Sequence, residues 1–194
     1  MEKIDVLLQK IWVLIMVFEI KKPPIELKVL LHRSVDSFAR EAIIRSIELS
    51  FNIDFDISTL RLNIEDACNH RRGQYDAEKI LNTALILIPN ELFLIAIGYD
   101  IYVSNLNFVF GVALPNHGCI ISTWRLRDRD REVYEMRILK TVRHELGHVF
   151  GLTHCNRYCV MRFANSLLEL DMKPKDFCNK CKSRLARIGI VATS

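Results

Sequence analysis

The most constraining feature of this 194-residue sequence is the run from His144 to His154, which reads H-E-L-G-H-V-F-G-L-T-H. Histidines four positions apart share one face of a helix, so His144 and His148 can reach the same metal ion. Gly151 tolerates positive φ, so the helix can end there and the chain can bring His154 to that ion. Three imidazole ligands leave one tetrahedral position to water, which indicates a catalytic zinc site. Glu145 can face that position as a general base.

The alternative interpretation of this run is a helix with ordinary surface histidines. H-E-x-x-H alone occurs by chance in amphipathic helices, but the added glycine and third histidine make the pattern much more specific. His144 and His148 lie off the apolar stripe of the predicted helix. Asp128 and Asp130 precede that helix, and negative charge at this position stabilises a helix N-terminus. The stripe consists of Ile138, Leu139, Val142, Leu146 and Val149.

Four of the six cysteines follow the histidines as two closely spaced pairs, Cys155 with Cys159 and Cys178 with Cys181. Two such pairs suit a tetrahedral thiolate zinc site with no open position. Two disulfides are the alternative, and they would require an oxidising compartment. Because no cleavable signal peptide is evident, we favour a second, structural zinc and expect a cytoplasmic protein. The sequence therefore predicts two Zn²⁺ ions per chain, one catalytic and one structural.

Together these motifs resemble the archaemetzincins, a branch of the metzincin metallopeptidases. The resemblance covers roughly residues 25–188 and includes residues 71–75, 105–111 and 165–167. It implies zinc-dependent hydrolysis of peptide bonds, with a zinc-bound water activated by Glu145. It also implies the ligand sets: His144, His148 and His154 for the catalytic zinc, and Cys155, Cys159, Cys178 and Cys181 for the structural zinc.

The same resemblance assigns two further parts of the site. Met161 lies in a turn beneath the metal, where it supplies a hydrophobic floor rather than a ligand. Residues 108–113 form an antiparallel edge strand above the cleft, with Phe108, Phe110 and Gly111 as candidate substrate contacts. An exposed edge offers unpaired N–H and C=O groups to an extended peptide, although sequence alone also allows an ordinary hairpin.

Two other functions remain open at this point. One is a zinc-binding or interaction protein with little catalytic turnover, which has no need of a base such as Glu145. The other is a zinc hydrolase that acts on a non-peptide amide. We expect a peptide or protein substrate and a monomer.

Composition and charge limit the class of protein. Half of the residues are apolar and Gly and Pro are few, which indicates a globular chain. The net charge of +4 is spread among interspersed acids and bases, so we predict no nucleic-acid surface. We expect one domain over residues 25–194, preceded by an extension at residues 1–24. The apolar run at residues 11–18 is too short to span a bilayer, and its role stays open between an extra strand, a membrane-surface or partner-binding segment and a late start of translation.

The remaining patterns predict an α/β fold with a mixed, mainly parallel sheet, flanking helices and a C-terminal zinc-bearing subdomain, as in metzincins. In the predicted loop at residues 60–75, Cys68 and His70 are either metal ligands or incidental, and residues 71–75 either shape the cleft or cap the next helix. Besides the zinc helix, helices are predicted at residues 36–49 and 76–87 and from residues 174–176 onward. Strands are predicted at residues 25–31, 51–57, 93–103, 108–114 and 119–126.

Overall fold

Eight strands form two sheets in the protein, whose computed structural model describes residues 25–193. The predicted extension at residues 1–24 lies outside the described residues. The strands are β1 (Glu26–Leu31), β2 (Asp54–Thr59), β3 (Cys68–Asn69), β4 (Gln74–Asp76), β5 (Leu92–Ile97), β6 (Ile101–Tyr102), β7 (Gly111–Leu114) and β8 (Gly118–Ser122).

Helices cover both faces of the larger sheet. They are α1 (Ser37–Glu48), α2 (Ala77–Leu87), α3 (Arg131–Val149), α4 (Leu167–Met172) and α5 (Asn179–Arg187), with one 3₁₀ turn at Glu65–Ala67. None of the helices within residues 25–193 is long and apolar enough to cross a bilayer.

The larger sheet has the order β2-β1-β5-β8-β7, and all neighbours are parallel except β7, which runs antiparallel to β8 at one edge. The predicted mixed, mainly parallel α/β fold is therefore confirmed. The central strand β5 reads LFLIAI and is almost wholly buried, as expected for a parallel strand covered on both faces. The apolar residues of α1 and α3 pack on one face of the sheet, and those of α2 pack on the other.

The helix α3 is fixed at its start and near its end. Asp130 caps its N-terminus, because its carboxylate accepts a hydrogen bond from the Glu132 N–H at 2.9 Å. Arg143, which is fully buried, donates to Ser50 Oγ at 2.8 Å and to Asp176 Oδ1 at 2.7 Å. These bonds join the last turns of α3 to the end of α1 and to the segment before α5. Arg143, which directly precedes His144, is therefore fixed by hydrogen bonds to two separate segments of the chain.

Two predicted strands have wrong boundaries for identifiable reasons. The strand predicted at residues 93–103 ends at Ile97, because the backbone at Gly98 passes so close to Ser34 that a Cβ there would lie 2.0 Å from the Ser34 carbonyl oxygen. The chain resumes as β6 in the smaller sheet, whose order is β3-β4-β6. The strand predicted at residues 51–57 begins only at Asp54, since Phe51 instead pairs with Ala192.

The last helix begins later than predicted. It starts at Asn179 rather than at residues 174–176, with Cys178 as its N-cap residue. The preceding segment is not helical, because the Asp176 carbonyl accepts a hydrogen bond from the Val160 N–H at 2.8 Å rather than one from within a helix. Both Cys178 and Cys181 nevertheless lie at the first turn of the helix, as predicted.

Candidate metal centres and catalytic cleft

Three histidines converge where α3 ends. His144 and His148 lie one turn apart on the helix, and Gly151 has a φ of 84°, which allows the chain to turn back. The turn is closed by a hydrogen bond of 2.9 Å from the Leu152 N–H to the Gly147 carbonyl. The turn returns His154 to the other two rings, and the candidate ligand nitrogens all lie within 4.8 Å of one another. The structure thus brings together the three histidines identified from the sequence.

Backbone carbonyls determine which ring nitrogens are available to a metal. His144 Nδ1 lies 2.9 Å from the Val160 carbonyl oxygen, and His148 Nδ1 lies 2.8 Å from that of Leu152. A carbonyl only accepts, so each Nδ1 must carry the proton, which leaves Nε2 free to bind a metal. The two Nε2 atoms are 3.1 Å apart, close to the separation of about 3.3 Å expected for two nitrogens at 2.0–2.1 Å from a tetrahedral zinc. This donor set fits a zinc ion.

Glu145 is buried beside these histidines, against the first residue of β7. A Cβ built on Gly111 would lie 2.6 Å from Glu145 Cγ, so only glycine leaves room for the carboxyl group. Burial raises the pKa of Glu145 to about 8, while the nearby charge of Lys173 acts in the opposite direction. The carboxyl group is therefore placed between α3 and the edge strand, with a pKa near neutrality.

The histidines and Glu145 lie in one cleft with a volume of about 320 Å³. One wall is formed by the end of α3 and another by the chain on either side of Gly111. Apart from the candidate site residues, the lining is largely apolar, and it includes Leu106, Phe108, Phe110, Val112, Pro115, Phe163 and Leu170.

The edge strand is shorter than predicted. Of residues 108–114, only those of β7, which begins at Gly111, pair with β8, and the other edge of β7 carries no strand among the described residues. Phe108 and Phe110 precede the strand, because Val109 pairs instead with Ile101 of the smaller sheet. The two phenylalanines still line the cleft, so they form its wall rather than its edge strand.

Met161 is fully buried beneath α3. A Cβ built on Gly147 would lie 2.5 Å from Met161 Sδ, so the methionine packs against the helix one residue before His148. The Met161 carbonyl accepts a hydrogen bond of 2.9 Å from the Cys155 N–H. That bond ties the turn containing Met161 to the chain that follows His154.

The four cysteines meet in a second cluster, with their sulfurs all within 4.8 Å of one another. The Cys155 and Cys178 sulfurs are 3.8 Å apart, and those of Cys159 and Cys181 are 3.7 Å apart. Four sulfurs at 2.3 Å from a tetrahedral zinc would be about 3.8 Å apart, so this set also fits a zinc ion. None of the cysteines in residues 25–193 is in a disulfide.

The hydrogen bonds within this cluster favour thiolate at one position. Burial acts to raise the pKa of Cys178, but hydrogen bonds from the Cys181 backbone and side chain, together with Cys159 and Cys155, lower it to about 7. Thiolate is the form of cysteine that binds metal.

Lys173 is a site residue that the sequence did not indicate. It is buried, its Nζ lies 3.3 Å from His144 Nδ1, and it donates to the Arg162 carbonyl at 3.4 Å. Burial, and then the charge of Lys173, lower the pKa of His144 to about 2, which favours the neutral imidazole that metals bind. Lys173 stands before a proline in a connecting segment, where no motif marks it.

Cys68 and His70 do not form part of a larger cluster. Their Sγ and Nδ1 atoms lie 3.6 Å apart. Within residues 25–193, the groups of three or more candidate metal ligands are the histidine and cysteine clusters described above. Metal binding by this pair is therefore not supported.

Comparison with known proteins identifies related sequences over most of the chain. The profile of Peptidase family M54 matches residues 57–187. A protein named Archaemetzincin from Nanoarchaeum equitans is 44% identical over 136 residues, which cover 70% of this chain and 76% of that protein. Another Archaemetzincin, from Archaeoglobus fulgidus, is 38% identical over 154 residues, which cover 78% of this chain and 94% of that protein.

Solved structures with the same fold carry the same family name. The crystal structure of Archaemetzincin from Archaeoglobus fulgidus, complexed with malonate, matches with a TM-score of 0.74 and 36% identity, over 81% of this chain and 99% of that one. The structure of Archaemetzincin from Methanopyrus kandleri matches with a TM-score of 0.75 and 34% identity, over 86% and 96% of the two chains.

Proposed function

Since the chain belongs to peptidase family M54, the archaemetzincins, and is a zinc metallopeptidase, we propose that His144, His148 and His154 hold its catalytic zinc and that Glu145 is its general base. The observation that carries this proposal is the convergence of three imidazole nitrogens and one buried carboxyl group in a single cleft. A zinc ion held by the three histidines would supply Lewis-acid polarisation of a carbonyl and would acidify water.

The protein's own groups perform the proton transfers in this proposal. Glu145 accepts a proton from the attacking water and then returns it to the leaving amine. A base is most effective when its pKa lies near the working pH, and burial places that of Glu145 near neutrality. The backbone carbonyls of Val160 and Leu152 orient two of the imidazoles, so the ligand geometry exists before substrate binds.

The free edge of β7 offers a binding site for an extended peptide. No strand within residues 25–193 pairs with this edge, so its N–H and C=O groups can add the substrate backbone as a further antiparallel strand. Because the walls around it are largely apolar, we expect apolar side chains to be preferred beside the scissile bond.

We also propose that Cys155, Cys159, Cys178 and Cys181 hold a second, structural zinc, for a total of two ions per chain. The cluster offers four sulfurs and no open position, which is the composition of a structural site. Such thiolates must remain reduced, so a cytoplasmic location stays our prediction. Mapping the four cysteines as disulfides in freshly isolated protein would refute both the second zinc and that location.

Replacement of Glu145 by glutamine tests the function. The variant should keep its zinc, because Glu145 is not a proposed ligand, while peptide cleavage should fall by about 10²- to 10⁴-fold, the usual contribution of a general base. His154→Ala should lose both activity and one firmly bound zinc. Zinc content and cleavage of a mixed peptide library are measured on the same preparations.

Two outcomes would contradict this assignment. Equal cleavage by the wild type and Glu145→Gln would show that another group is the base. A wild-type protein that carries its full zinc yet cleaves no peptide would favour a zinc-binding protein with little turnover.

A further inference from the structure

A polar network links residues 71–75 to the outer side of the cleft wall. Gln74 is buried, and its Nε2 donates to the Asn107 carbonyl and to Asp100 Oδ2, both at 2.9 Å. The Arg72 guanidinium donates to the same Asn107 carbonyl at 2.8 Å, and its Nε donates to Gln74 Oε1 at 2.7 Å. One side chain from the turn before β4 and one from β4 itself thus hold a single carbonyl of the segment that leads into β7.

The network continues through an ion pair to an aromatic ring of the cleft. Arg125 donates two hydrogen bonds of 2.7 Å to the carboxylate of Asp100, which is buried. The guanidinium of Arg125 also lies 4.1 Å from the centre of the Phe108 ring, and that ring contacts Phe110 edge-on at 5.4 Å. A bidentate pair of this kind fixes the orientation of the guanidinium, and therefore of the ring stacked on it.

The segment held in this way forms part of the substrate cleft. Leu106, Phe108 and Phe110 line the cleft and lead directly to Gly111, which lies against Glu145. None of the four polar side chains lines the cleft itself. They contact the wall from the side opposite the cleft. They can therefore affect the reaction only by changing the position of that wall.

We propose that Arg72, Gln74, Asp100 and Arg125, here called the bracing network, are positioning residues that set the place of the cleft wall and of the β7 edge. This inference rests on the proposed peptidase function, in which that edge binds the substrate backbone. A displaced wall weakens ground-state and transition-state binding alike, so its effect belongs in KM rather than in kcat. The network thereby gives residues 71–75 a role in substrate affinity.

Gln74→Glu is the sharpest test, because it keeps the shape of the side chain and its acceptor for Arg72. It removes both N–H donors and places a carboxylate against Asp100 and the Asn107 carbonyl. We expect KM to rise about tenfold, the size of one lost hydrogen-bonding contact, with kcat changed by less than about threefold and zinc content unchanged. Adding Asp100→Asn should restore part of the affinity, because the new amide can donate to Glu at position 74 and still accept from Arg125.

Arg72→Lys provides a second variant with a matched control. Arg72 donates to the Leu106 carbonyl at 3.3 Å as well as to that of Asn107. Arg40 likewise donates to two loop carbonyls, those of Val35 at 3.0 Å and His32 at 2.7 Å, but that loop does not line the cleft. Lysine cannot reproduce the fork of a guanidinium at either position. We expect Arg72→Lys to raise KM severalfold and Arg40→Lys to leave KM unchanged.

Hydrogen exchange supplies a readout that does not depend on catalysis. The Leu106 N–H donates to the Val103 carbonyl at 3.1 Å, and the Val109 N–H donates to the Ile101 carbonyl at 3.0 Å. Both amides should exchange faster in Gln74→Glu and in Arg72→Lys than in the wild type or in Arg40→Lys.

The proposal is supported if KM rises and these two amides lose protection while zinc is retained. It is overturned if KM and hydrogen exchange are both unchanged, if kcat alone falls, or if the variants lose zinc. Any of these results would show that the bracing network does not act by positioning the cleft wall. A wild-type protein that cleaves no peptide would refute the proposed function instead, and the exchange comparison would still decide whether the network holds the wall.

Discussion

Gly111 shows how one residue without a side chain shapes the proposed active site. It begins the edge strand, and the space that its Cβ would occupy is taken by the carboxyl group of Glu145. A side chain at this position must displace either the strand or the base. The two proposed functions of the cleft, substrate pairing and proton transfer, therefore meet at this glycine.

Gly111→Ala should reduce catalysis without loss of metal. The methyl group would push the Glu145 carboxyl out of place, and displacement of a reacting group by about 1 Å can cost about 10²-fold, so we expect kcat/KM to fall to that extent. Steady-state kinetics and zinc content measure the effect. Leu114→Val, on the same strand but outside the cleft lining, serves as the control and should retain near wild-type activity. Normal activity in Gly111→Ala would mean that the strand can move at no cost.

At the level of elements, the chain after α3 is organised by two clusters rather than by regular structure. His154 and Cys155 are adjacent in sequence but belong to different clusters, and Met161 packs against α3 at Gly147. The four-cysteine cluster joins this segment to the start of α5. An ion held there would fasten the last helix to the active-site segment.

Cys178→Ser should therefore lower stability and the zinc content together. Thiolate zinc binding is coupled to folding, so we expect one zinc fewer per chain and a loss of unfolding free energy on the order of 3 kcal/mol or more. Elemental analysis and denaturant unfolding test both expectations. Cys68→Ser replaces a half-buried thiol outside the cluster and should leave the zinc content unchanged. An unchanged zinc content in Cys178→Ser would show that the four cysteines do not hold a zinc ion.

At the level of the whole molecule, buried polar groups fasten the loops to the central sheet. His32 follows β1 and is buried, and its Nδ1 accepts a hydrogen bond of 3.2 Å from the Ser34 N–H. Ser34 Oγ in turn accepts from the Gly98 N–H at 2.8 Å, where β5 ends. Burial, with a smaller effect from the charge of Arg33, lowers the pKa of His32 below its ordinary value of 6.5.

This shift predicts a pH dependence of stability. The unfolded chain binds the His32 proton at a higher pH than the folded chain does, so unfolding free energy should fall as pH falls below about 6.5 and should level off below the folded-state pKa. His32→Gln should show a weaker loss of stability between pH 7.5 and pH 5.5 than the wild type. Denaturant unfolding at both pH values measures the difference, which separates His32 from the other titrating groups. Parallel pH profiles would refute the prediction.

The sequence by itself identified the candidate metal ligands and the class of fold. Metal sites require fixed ligand types at short spacings, so the histidine run and the cysteine pairs could be recognised from residues close together in the chain. The parallel α/β architecture followed from apolar periodicity, since buried strands and amphipathic helices carry different repeats. Asp130, which caps α3, was likewise a local signal, because it is an acidic residue just before a predicted helix.

Only the tertiary structure decided the features that depend on residues far apart in sequence. Gly98 ends a strand because Ser34 passes beside it, and Phe108 leaves the edge strand as its neighbour pairs with Ile101. Lys173 enters the site only when the segment before α5 folds beneath His144. The bracing network joins residues 71–75 to Arg125 by hydrogen bonds that no local pattern encodes. Such contacts are set by how sheet, helices and loops pack together, and packing is not a periodic property of the chain.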